Sequence, residues 1–96
     1  MLIKRKTKKR RKSRIRNKAK DGRRNLVGTR IREIRREAHP KMTQDDLAGR
    51  VAVMGITLDR TAIYRIEMGA RAITDIELAA LAKALRVEIR DLFVKT

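Results

Sequence analysis

From Asn25 onward, apolar residues recur at intervals of three and four, the period of a helix with one buried face. Val27, Ile31, Ile34 and Ala38 fall on one side of a first segment and predict a helix from about Leu26 to Ala38. His39-Pro40 ends it, because the residue before a proline is pushed out of the helical region. Three further starts share one device: a capping residue with an apolar residue just before it and another four positions inside. Met42-Thr43 with Leu47, Leu58-Asp59 with Ile63, and Ile73-Thr74 with Leu78 each fit this staple, and Thr74 with Glu77 also reads as a capping box. The helices so predicted run from about Gln44 to Met54, closed by Gly55; from Arg60 to Met68, closed by Gly69; and from Asp75 to Arg86. A short fifth helix, about Glu88 to Val94, sets Ile89, Leu92 and Phe93 near the C-terminus. No segment alternates with period two for long enough to make a strand, although "VAVMGITL" is apolar enough to be mistaken for one. The expected class is all-α.

Arg60 opens its helix where the backbone is already electropositive and where acidic residues are the stabilising choice. On a wheel advancing about 100° per residue, Ala62, Ile63 and Ile66 collect on one side. Arg60, Thr61, Tyr64, Arg65 and Met68 fill the other. That outward face is rich in directional donors. Two arginines can each make paired contacts to guanine O6 and N7, and a threonine can meet thymine or a phosphate, which is chemistry suited to a major groove. The plainer reading is a solvated surface with Tyr64 at the edge of the core.

Charge divides the 96 residues into two objects. Residues 1–24 hold 14 of the 27 Lys and Arg with Asp21 alone against them, so +13 of the net +16 sits there and the rest carries +3. Such an arm lacks apolar residues to bury and is expected to be disordered by itself, leaving 25–96 as the folded domain. Phosphate binding without sequence preference is one role for it; a solubilising tail, or residues upstream of the biological start, is the other. The arm has neither the apolar core of a secretory signal nor the apolar face of a mitochondrial presequence. No apolar run approaches the roughly 20 residues that cross a bilayer. The absence of cysteine excludes thiolate metal sites, disulfides and thiol catalysis and fits a cytoplasmic protein, and the single histidine, His39, stands in a loop beside proline. No catalytic constellation, cofactor cradle or metal-ligand spacing is visible, so no enzyme, cofactor or metal is expected.

"RIREIRREA", "TQDDLAGRV", "RTAIYRIEMG" and "ITDIELAALAKALRVEIRDLF", in this order and spacing, resemble the Cro/phage-repressor-type helix-turn-helix family over Val27 to Phe93. The resemblance implies a five-helix, lambda-repressor-like domain whose third helix lies in the major groove while the second crosses the DNA backbone. It implies base-edge reading by Arg60, Thr61, Tyr64 and Arg65, and phosphate binding by Gln44, Arg71 and Lys41, with Thr43 only a cap. Glu67 would pair with Arg35 and orient the third helix rather than face phosphates that repel it. Three features depart from the family: a longer link "AVMGITL", the "HPK" before the second helix, and Glu88 where a small cap usually stands. The arm lies outside the family domain.

The implied partner is double-stranded DNA, with no membrane involved, bound by a homodimer that acts as a repressor or autoregulator. Ile89, Leu92, Phe93 and Val94 either offer a twofold contact or close the domain's own core. Two competing classes stand beside this one: an RNA or ribonucleoprotein binder driven by the arm, and an antitoxin-type regulator with a protein partner.

Overall fold

The structure, a computed structural model, describes residues 18–93. Residues 1–17 and 94–96 lie outside the described residues, and with them most of the basic arm, its expected disorder, and Val94. The described residues contain four α-helices, α1 (Gly28–Glu37), α2 (Gln44–Val53), α3 (Arg60–Glu67) and α4 (Asp75–Ala84), followed by a 3-10 turn, Ile89–Leu92, and no strand.

Local chemistry sets the boundaries. Thr43 and Thr74 each accept from the backbone N–H three residues on, while Asp46 and Glu77 return the bond to the cap's own N–H, so both helices begin with reciprocal capping boxes. Asp59 caps α3 by accepting from Ala62 N–H at 2.8 Å. Three helices end in the same way. Gly55 N–H meets Ala52 O and Ile56 N–H meets Val51 O after α2; Gly69 and Ala70 repeat this after α3, and Arg86 and Val87 after α4. This paired closure needs a left-handed residue at its first position, which Gly55 (φ 87°) and Gly69 (φ 75°) supply without a Cβ penalty. After α4 the same conformation is held by an arginine, Arg86, at φ 61°.

The fifth helix expected over Glu88 to Val94 is instead the four-residue 3-10 turn. Its bonds run from Asp91 N–H to Glu88 O and from Phe93 N–H to Arg90 O. The left-handed Arg86 stops α4 at Ala84, short of the expected end, and the Asp91 carboxylate takes the Glu88 N–H at 2.9 Å as at a helix start, but the backbone bonds that follow keep the three-residue spacing of a 3-10 turn.

Ile31, Leu47, Val51, Ile63, Ile66, Leu81 and Leu92 are the largest fully buried side chains of one core. The apolar partners of the first two staples, Met42 with Leu47 and Leu58 with Ile63, lie in it, and Ile73 and Leu78 pack against its edge. α3 packs on α1 and α2, and α4 packs on α2 and the 3-10 turn. Leu58 anchors the long link between α2 and α3, so Met54–Asp59 is a tethered loop with Val53 exposed beside it. The backbones of α1 and α3 approach most closely at Gly28, where a Cβ would run into the carbonyl of Ile66.

The folded unit begins before Asn25. Arg24 N–H donates to Gly69 O at 2.8 Å, and Arg23 packs over Gly69 while its guanidinium pairs with Asp21. The root of the basic segment is therefore seated on the turn that closes α3.

Candidate nucleic-acid interface

α3 shows two clean faces. Ile63 and Ile66 are fully buried, Ala62 is half-buried, and Arg60, Thr61, Tyr64, Arg65 and Met68 are exposed. Tyr64 keeps about half of its surface in solvent (52%), so its ring and hydroxyl are available to a ligand. The dipole cost of Arg60 at the first turn is offset by the neighbouring Asp59 carboxylate at the cap.

The orientation of this helix is held from beneath by one buried carboxylate. Glu67 is 4% exposed and receives Arg35 Nε at 2.6 Å, Arg35 Nη2 at 2.9 Å and Gln44 Nε2 at 3.0 Å. Arg35 also donates through Nη1 to Met42 O at 3.1 Å. α1, the start of α2 and the end of α3 thus meet at Glu67. Both of its oxygens are satisfied, and among the described residues no buried side-chain polar atom lacks a partner.

Above this junction the surface is concave, about 510 Å³, between α1, the first turn of α2 and the outward face of α3. Lys41, Gln44, Arg60 and Tyr64, all singled out in the sequence, line it together. Gln44 spends one amide hydrogen on Glu67 and keeps the other for this surface. Thr61 and Arg65 lie on the exposed side of α3 outside the concavity.

Arg71 is placed differently. Its guanidinium grips Glu77 through Nη1 at 2.9 Å and Nη2 at 3.1 Å, with a further bond to Ala72 O. The hydrogen bonds from Arg71 are the largest influence holding the Glu77 carboxyl below the usual range, and Glu77 in turn raises the Arg71 guanidinium. The four C-terminal apolar residues are also separated: Leu92 is 1% exposed within the chain's own core, whereas Ile89 and Phe93 are exposed.

Two features were missed in the sequence. Arg32 and Arg36 of α1 line the concavity, although their spacing of four, opposite Val27 and Ile31, marks one exposed basic face. Asn25 is the second: its Nδ2 bridges Ile66 O and Arg71 O, and its Oδ1 accepts from the Val27 and Gly28 N–H groups. No sequence spacing announces a bridge across more than 40 residues.

A helix presented by two others, with donors facing solvent and basic side chains beside it, defines a helix-turn-helix domain. The sequence model of one family, described as helix-turn-helix, matches residues 31–92, and the chain belongs to that family, the Cro/phage-repressor type of DNA-binding transcription regulators. No curated protein and no solved structure matches the chain. Among the described residues no helix is long and apolar enough to cross a membrane.

Proposed function

We propose that the protein is a sequence-specific regulator of transcription, a repressor or autoregulator, that inserts α3 into the major groove of duplex DNA. Arg60, Thr61, Tyr64 and Arg65 read base edges, and Gln44 and Lys41 hold phosphates beside them. The single observation that carries this reading is the exposure of all four readers on one helix whose other face buries Ile63 and Ile66 in the core. Arg71 remains a candidate phosphate ligand only by exchanging Glu77 for DNA, which weakens its claim.

On DNA the protein acts as a homodimer, with two copies of α3 set about 34 Å apart, one turn of duplex, or a multiple of it. Ile89 and Phe93 are the apolar residues offered to that contact; Leu92 is spent on the core. Binding at an operator excludes other proteins by occupancy, and the work is done in the cytoplasm.

Selection of bound duplexes from a random pool by the full chain tests the reading. Recovery of a two-fold motif, with Arg65→Ala relaxing preference at one base pair at a cost of about 1 to 3 kcal/mol, is the expected result. Equal losses on selected and random duplexes would remove base reading. Binding that depends on residues 1–24 and prefers RNA would replace it with a ribonucleoprotein role, and a tight protein partner co-purifying from the native host would point to an antitoxin-type regulator.

A further inference from the structure

We infer that Arg32 and Arg36 of α1, with Lys41, form a seat for a DNA phosphate run beside the recognition helix, so that α1 is a third DNA-contacting element. The inference rests on the proposed duplex partner and adds Arg32 and Arg36 of α1 to the concavity that already holds Lys41.

The geometry points to an anion of extended shape. The concavity between α1, α2 and α3 is lined by Arg32, Arg36, Lys41 and Arg60, and among the described residues none of these four has a carboxylate partner. Two acidic residues line the same surface. Glu67 is consumed by Arg35 and Gln44 beneath the floor, and Asp45 sits in the first turn of α2, where the helix dipole favours it. The concavity therefore keeps a surplus of three positive charges in the protein alone. Arg32 and Arg36 are one helical turn apart on the same face, so their repulsion is unrelieved until an anion enters. The other arginines of α1 show the contrast: Arg30 is paired with Glu33, and Arg35 with Glu67.

A phosphodiester backbone suits this arrangement better than an isolated anion. The cations are distributed along one wall, contributed by α1 and the loop after it, and the opposite wall carries Arg60 and Tyr64 of the reading face. A guanidinium can fork onto two phosphate oxygens, which a lysine cannot do. A strand held here would run alongside α3 while that helix reads bases in the adjoining groove.

The test uses the full chain, a duplex selected from a random pool and a composition-matched scrambled duplex, titrated across a range of salt. Arg32→Gln with Arg36→Gln is expected to flatten the slope of log affinity against log salt by about two, equally on both duplexes, with the preferred sequence unchanged. Arg32→Lys with Arg36→Lys should restore most of the slope and less of the affinity. Lys83→Gln with Arg86→Gln, outside the concavity, serves as the charge control. A control that flattens the slope as much as the α1 pair would overturn the seat, since total charge alone would then explain the change. Circular dichroism guards against misfolding, and both α1 positions are solvent-facing. A selective parent whose slope ignores the α1 pair removes the seat and leaves base reading intact. A parent without selectivity, whose slope still responds to that pair alone, removes base reading and keeps the seat.

Discussion

Gln44 Nε2 donates to Glu67 Oε1 over 3.0 Å, so the first turn of α2 and the last turn of α3 share one buried carboxylate with Arg35 of α1. The angle at which α3 leaves the surface is set by this three-helix junction as well as by the apolar core. Glu67→Gln removes the charge, keeps the shape and strands the Arg35 guanidinium in a site where its side chain is only 11% exposed. The expected cost is about 3 kcal/mol of unfolding free energy, read by urea denaturation. Arg35→Met with Glu67→Leu should recover much of that stability, yet lose DNA selectivity, because the apolar pair cannot fix the rotation of α3. Full selectivity in the apolar double variant would show that the junction does not orient the outward face of α3.

The Arg71–Glu77 pair predicts an acid-sensitive profile. The Glu77 carboxyl is depressed in the folded chain, chiefly by the hydrogen bonds from Arg71, and Asp46 is depressed by those of Thr43. A depressed carboxyl contributes stability that is fully present above its unfolded value, near 4.3 for a glutamate, and is lost as pH falls through the lower folded value. Melting temperatures should therefore hold from neutral pH down to about 5 and decline below about 4. Glu77→Gln should be less stable at neutral pH and show a shallower acid decline. An unchanged decline would assign acid unfolding to other groups.

The elements that the sequence disclosed most plainly are those specified by neighbours in the chain. Thr43, Asp59 and Thr74 mark helix starts within three residues of the N–H groups they bind, and Gly55 and Gly69 mark ends by a conformation that glycine favours. The two faces of α3 follow from its period alone. The fourth helix ends short of the expected Arg86 for a local reason too, because Arg86 supplies a glycine-like stop that its residue type does not advertise. The remainder depends on distance. Arg71 is tied to Glu77, Gln44 to Glu67, and Asn25 to Ile66 and Arg71, and these pairings arise only when the helices cross. Arg32 and Arg36 were readable as a basic face, but their position opposite Arg60 follows from the packing of α1 on α3.

Arg86 offers a simple gain in stability. It holds a left-handed conformation at φ 61° in a closure identical in bonding to those made by Gly55 and Gly69. A Cβ in this region costs about 1 kcal/mol, part of which a glycine returns through the greater freedom of the unfolded chain. Arg86→Gly is expected to stabilise the domain by about 0.5 kcal/mol, seen as a small rise in the urea midpoint. Arg86→Val, β-branched in the same conformation, should destabilise it. A lower midpoint for the glycine variant would mean that the Arg86 side chain makes a contribution larger than its backbone strain.

The segment before α1 is expected to behave as part of the domain, and Asn25 is the reason. Its side chain fills four hydrogen bonds at once, two given to Ile66 O and Arg71 O and two accepted from Val27 and Gly28 N–H groups. It thereby opens α1 and secures the turn that closes α3. Asn25→Ala leaves those carbonyls and N–H groups unpaired at a half-buried site, a loss of about 2 to 3 kcal/mol. Asn25→Asp separates the two functions: it still accepts from the N–H groups of α1, but sets a carboxylate against two carbonyl oxygens, so it should recover less than half of the loss. Hydrogen exchange gives the sharper readout. The Arg24 amide, bonded to Gly69 O, is protected in the parent only while this clasp is closed. Both variants should speed its exchange more than that of the Leu47 or Leu81 amides in the helices of the core. Uniform acceleration across all of them would mean that Asn25 supports global stability without fastening the basic segment to α3.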